Sequence, residues 1–229
     1  MKLVIDNIYD SISGSHTHYL DKFNDTDEKL IKQEGNHNKL EEEHIIAKIE
    51  NDKLQQKSKL DTIKIHNVKV PTLAGNERED VVQTVADVMT DADIPFNKDD
   101  IKSAYRPNKS GAKGPHIYVS FIRGFDRIKI LRQRKSKMTD SDDFKRKRPG
   151  TFITEDLTPL RQLISYKLRH DVRIAKCWST DGKIKCLKAG HTADDKPITI
   201  DSPHDLTQAG WTDDEVRQFI QHNLLNKQD

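Results

Sequence analysis

The chain has 229 residues, room for one large domain or two small ones. Hydrophobic residues make up 34% and charged residues 33%. That is a thin core for a single globule, so an extended or multi-part molecule is expected. The net charge of +2 hides a strong asymmetry: Lys102 to Arg148 holds 15 basic against 4 acidic residues, while both flanks are net acidic. Such a distribution argues for a polyanionic partner.

No apolar run approaches the ~20 residues of a membrane span, and Met1–Asp10 lacks the apolar stretch of a signal peptide. The expected setting is intracellular, in the nucleus or cytoplasm, with no membrane partner. Cys177 and Cys186 make no disulfide framework and are read as reduced thiols.

Residues 1–24 are polar, with Ser-Gly-Ser and two histidines, and read as a flexible N-terminus. Residues 25–60 carry helix formers, no proline and one glycine, Gly35. Leu40, Ala47 and Leu54 fall at heptad spacing, while Ile46, Ile49 and Leu60 fit another register. The segment reads as a coiled coil with a stutter, joining chains as a dimer or trimer. A lone solvated helix or a charged disordered segment are its alternatives.

Thr62 to Val68 alternates at period two, as a strand does. Pro71–Asn76 is a loop, and Glu77–Ala92 a helix striped by Val81, Val82, Val85, Val88 and Met89. Ile101–Arg106 and His116–Arg123 are strands around a Gly/Pro/Ser loop. Gly124–Lys137 is a helix, Lys137–Arg148 a charged loop and Gly150–Thr154 a strand. The order β-α-β-β-α-β over residues 61–155 is the ferredoxin-like pattern shared by RNA-recognition-motif (RRM) domains. Residues 156–229 form a small α/β C-terminal domain. Its helix begins at Thr158-Pro159, and its hairpin turns at Asp181-Gly182. Pro197–Ile200 is a further strand, and a last helix opens on a Thr212/Glu215 capping box. The fold class is therefore α+β, with a long N-terminal helix, an RRM-like domain and a small hairpin-bearing domain.

Three basic segments could hold a phosphate backbone. In the first, Arg106, Lys109 and Lys113 sit among glycines that allow close backbone approach; the Walker spacing is absent. The second is the helix of Arg127, Lys129, Arg132, Arg134, Lys135 and Lys137, denser in charge than solubility needs. The third, Lys145-Arg146-Lys147-Arg148, fits either phosphate contact or a nuclear-import patch. Each could also be a solvated surface. Tyr118, beside His66, stands on the open sheet face as a candidate for base stacking, against a structural role. Cys177 and Cys186, equidistant from the hairpin turn, should lie directly opposite one another. The ten histidines show no metal-ligand spacing, and no catalytic constellation stands out; no cofactor, no metal and no enzymatic activity are expected. Trp178 and Trp211 read as core.

Gly114-Pro-His-Ile-Tyr-Val-Ser-Phe121, the basic helix after it, Phe152-Ile-Thr-Glu-Asp-Leu-Thr-Pro-Leu-Arg161 and Trp178-Ser-Thr-Asp-Gly-Lys-Ile-Lys185 resemble two related groups. One is the baculovirus few-polyhedra (FP) proteins. The other is the first-open-reading-frame RNA-binding proteins of LINE-type retrotransposons. The resemblance covers about Ile45 to Lys188. It implies a trimerising coiled coil and two domains that clamp single-stranded nucleic acid. By position it makes Arg106, Arg123, Arg132, Arg161 and Lys185 backbone contacts. The chain departs from the pattern in its short, irregular heptads, and it has no zinc knuckle. The expected function is non-enzymatic binding of single-stranded RNA or DNA by a homo-oligomer, of the chaperone or packaging kind. The alternative is a viral assembly factor of the FP type, working through protein contacts with viral or ribonucleoprotein components. Arg161, Lys167 and Arg169 lie just beyond the basic centre, which favours a cleft between domains over a flat sheet face.

Overall fold

With no proline before Pro71, nothing breaks the N-terminal helix. In the computed structural model, which describes residues 2–70, 78–109, 112–113 and 115–225 (side chains from 19 onward, except 20, 21, 108, 109, 112 and 113), α1 runs Lys2–Ser58. It thus begins within residues 1–24, where a flexible segment is expected: an interior glycine costs a helix only about 1 kcal/mol. The chain forms two compact units, Met1–Glu50 with Ile220–Asp229, and Asn51–Phe219.

In the first unit α1 leaves Leu30, Ile31, Leu40 and Ile46 exposed. Its Lys48 ammonium donates to the Leu224 carbonyl in the helical C-terminal turn.

The second unit contains two antiparallel sheets and a short ribbon. The first sheet has strands β1 (Thr62–His66), β2 (Ile101–Tyr105), β5 (Ile117–Phe121) and β6 (Phe152–Glu155), in the order β2-β5-β1-β6. Between β2 and β5 lies the ribbon β3 (Asn108–Lys109) and β4 (Ala112–Lys113). The expected loop Pro71–Asn76 lies outside the described residues. Alternation sets the two faces of the sheet. Ile63, Ile65, Ile117, Val119, Phe121 and Ile153 turn inward against Val85, Val88 and Met89 of α2 (Val81–Asp91) and Ile130 of α3 (Gly124–Arg134). Lys64, His66, Tyr118 and Thr154 turn to the other face.

Residues 137–148 correct the expected loop. A π-helical turn, Lys135–Thr139, leads into α4 (Asp142–Lys147). Ser141 caps α4 at the Phe144 amide (3.2 Å), and Met138 and Phe144 are buried in the core. Two apolar anchors six residues apart suffice for packing, but are too few to show a helical period.

The second sheet, β7 (Ile174–Thr180), β8 (Lys183–Lys188) and β9 (Ile198–Ile200), packs against α5 (Pro159–Arg169). Thr158 caps α5, with Pro159 in its first turn. The hairpin turn has Asp181 at φ +52° and Gly182 at φ +74°, the type I′ geometry. A side chain at Gly182 would also meet Gln56, at 2.7 Å. Cys177 and Cys186 are directly paired, as the spacing predicts. A last helix, α6 (Asp213–Ile220), opens on the reciprocal Thr212–Glu215 bonds of a capping box. Among the described residues no helix is long and apolar enough to cross a membrane.

Buried charges join these layers. Glu155, at the edge of the first sheet, accepts from Arg127 (2.6 Å) and from the Asp181 turn amide (2.8 Å), with the Gly182 amide at 3.4 Å. Arg161 donates to Asp52 (2.9 Å), Asp201 (3.0 Å) and the Gly182 carbonyl (2.7 Å). Gln56, near the end of α1, bridges the Asp156 carbonyl and the Thr158 amide.

Candidate nucleic-acid interface

The outer face of the first sheet is richer in rings than Tyr118 alone suggests. Strand register sets Tyr105, Tyr118, Lys64 and Thr154 side by side across four strands. Tyr105 and Tyr118 are nearly parallel at 5.3 Å, and the Lys64 ammonium lies 5.3 Å from the Tyr118 ring. In the neighbouring row His66 stacks on Phe152, 4.3 Å apart and 6° from parallel. Burial, the Lys64 charge and then His116 lower His66 from 6.5 to about 4. Its neutral ring shares a 2.8 Å hydrogen bond with the Thr154 hydroxyl.

Over the edge strand β6, this face meets α5 and β7 in a groove of about 620 Å³. Lys64, His66, Phe152 and Thr154 form one wall; Tyr166 and Arg169 of α5, with His170 just after it, form the second, and Trp178 of β7 closes a third side. Tyr166 rests against His170 at 4.3 Å. Phe152 and Tyr166 stay 43% and 59% exposed despite their size. Exposed aromatic rings facing one groove are costly in water and suit a planar partner.

Arg134 reaches the groove from the end of α3, where it makes one weak bond, 3.4 Å to the Ile153 carbonyl. Burial lowers its guanidinium below the ordinary value; Arg127 and Arg169 push the same way, and Glu155 opposes them. Among the described residues, Lys64, Arg134 and Arg169 form no ion pair with a carboxylate. Three cations are thus gathered around one lining carboxylate, Glu155, which already pairs with Arg127, and one of the three is partly desolvated. A bound anion would relieve both conditions.

The other sequence-derived cations divide by burial. Arg106 is buried in an internal clamp on Glu79 (2.8 Å) and the Val68 carbonyl (3.0 Å). Arg127 and Arg161 are likewise spent on Glu155 and on Asp52 with Asp201. Arg123 is exposed but held by Asp100 (2.7 Å) and Asp126 (3.1 Å). On the outer face of α3, Lys129 sits over the Phe125 ring, 3.7 Å from Asp126. Arg132 and Lys135 are exposed, and Lys137 pairs with Asp93. Lys145, Arg146 and Lys147 pair along α4 with Asp142 and Asp143, and Arg148 with Asp91. Lys185, half-buried, is the cross-strand partner of Trp178. Lys109 and Lys113 lie on the ribbon, their side chains outside the described residues.

The groove therefore unites Arg134 and Arg169 with Lys64, Phe152, Tyr166 and Trp178. Sequence reading misses the last four as site residues. The signal available was the alternation of β6, which puts Phe152 beside His66. Among the described residues, no cluster of His, Cys, Asp or Glu could hold a metal ion. Burial pushes both hairpin thiols up, Cys186 to about 11. No family model matches this chain, and no curated protein matches it.

Proposed function

We propose that this protein binds single-stranded nucleic acid without catalysing its chemistry, as a homo-oligomer inside the cell, in the nucleus or cytoplasm. One observation carries the reading: unpaired cations and exposed rings line the same groove. Phosphates need the first and unstacked bases the second. Two further observations support it. The strand order β2-β5-β1-β6, with α2 and α3 on one face, is the order expected of an RRM-like domain. The second sheet and α5 complete the groove, and the resemblance to LINE-type and FP proteins implies two domains that clamp a strand.

Salt-titrated binding of short single- and double-stranded oligonucleotides tests the reading. Lys64, Arg134 and Arg169 line the groove, and Arg132 and Lys135 are exposed near the end of α3; among the described residues none of the five forms an ion pair. If all five meet phosphate, log K against log salt has a slope of about −3.5, or roughly a hundredfold loss between about 50 and 200 mM. Duplex should bind more weakly, because its bases are stacked inside. Affinity independent of salt refutes the proposal. In that case an assembly role through protein contacts takes its place.

A further inference from the structure

We propose that the groove over β6 is a one-nucleotide pocket. A single unstacked base enters between Phe152 and Tyr166, and its phosphate sits between Arg134 and Arg169. This inference rests on the binding function above and narrows it from a backbone track to a discrete site.

Size is the first support. About 620 Å³ falls within the roughly 300–1,000 Å³ of small-ligand pockets, whereas a strand tracked only by its backbone needs no pocket. The second is the pairing of rings. Phe152 is backed by His66 at 4.3 Å and Tyr166 by His170 at 4.3 Å, from different elements. Each ring is braced on one side by its histidine, so each has a side left for a ligand. The third is charge. Arg134 is partly desolvated beside Arg169, and Glu155, whose charge offsets part of this, is already taken up by Arg127 and two turn amides. A phosphate, like a carboxylate, is recognised by guanidinium forks through directed hydrogen bonds. Rings for a base and guanidinium groups for a phosphate in one cavity define a nucleotide rather than a phosphate or an aromatic alone.

The chain has two tryptophans. Trp178 lines the groove, while Trp211 donates to Asp171 and packs on Phe219. Trp211→Phe therefore leaves Trp178 as a reporter. In that background, nucleoside 5′-monophosphates should quench Trp178 saturably and bind at least tenfold tighter than the matching nucleosides or inorganic phosphate. Phe152→Leu and Tyr166→Leu keep apolar bulk but remove the ring. They should weaken nucleotide binding roughly 5- to 150-fold, the loss of one stacked base, with phosphate binding unchanged. Arg134→Gln and Arg169→Gln should weaken phosphate and nucleotide but spare nucleosides. Oligonucleotide binding is measured alongside. If nucleotides bind no better than phosphate while oligonucleotides keep their salt-dependent affinity, the pocket is overturned and the backbone reading stands. If oligonucleotides also fail to bind, the function itself is overturned.

Discussion

Arg161 separates structure from binding most sharply. The resemblance makes it a backbone contact, but its side chain is 4% exposed and divided among Asp52, Asp201 and the Gly182 carbonyl. Consider Arg161→Met, which keeps the apolar stem. Asp201, with its side chain 37% exposed, can turn to water; Asp52, at 8%, cannot, and it retains only its bond from the Thr158 hydroxyl. Stranding one buried charge costs about 3–5 kcal/mol. At about 2–4 °C per kcal/mol for a unit of this size, Tm should fall by about 6–20 °C. Adding Asp52→Leu should recover part of the loss, because the stranded carboxylate goes with it. Oligonucleotide affinity, measured well below the new Tm, should stay within about twofold, less than one phosphate contact is worth. Thermal melts and salt-controlled anisotropy read the two arms. A Tm shift below about 2 °C together with a tenfold affinity loss would refute the reasoning and return Arg161 to the interface.

Arg134→Gln should do the opposite, leaving Tm nearly unchanged and reducing the salt slope by about 0.7, checked by the same two assays. Glu155→Gln leaves buried Arg127 with the Leu60 carbonyl and only the exposed Asp181 carboxylate at 3.4 Å, and should destabilise by at most about 3–5 kcal/mol; hydrogen exchange should quicken at the Asp181 and Gly182 amides, and unchanged protection there would count against the pin. His66 titrates at about 4 folded against 6.5 unfolded, so the unfolded chain takes up the proton first. Stability should fall as pH drops from about 6.5 to about 4 and lose this dependence in His66→Gln, as followed by denaturant midpoints. With both thiols raised, alkylation at neutral pH should be slow in the folded protein and accelerate towards pH 11; rapid native labelling in mass spectra would contradict their burial.

Much of the scaffold was legible because its signals are local. Asp181-Gly182 marks the hairpin, Thr212 and Glu215 the capping box, and alternation marks β1 and β5. The site was less legible, because charge density says nothing about distant partners. Arg106, Arg127 and Arg161 look like interface cations until Glu79, Glu155 and Asp52 appear, 27, 28 and 109 residues away. Likewise Phe152 and Tyr166 are ordinary members of a strand and a helix. Only the docking of α5 beside β6 turns them toward one space.

The carboxylate of Glu155 has a kinetic consequence. By holding both amides of the hairpin turn while pairing with α3, it ties the Trp178 wall to the sheet wall. If the proposed binding holds, a strand would meet two walls already held together by these bonds. Association should then be limited by charge steering and by how often a base leaves its own stack. Flexible, weakly stacked runs would be caught faster than stiff ones, even where the final affinities are equal.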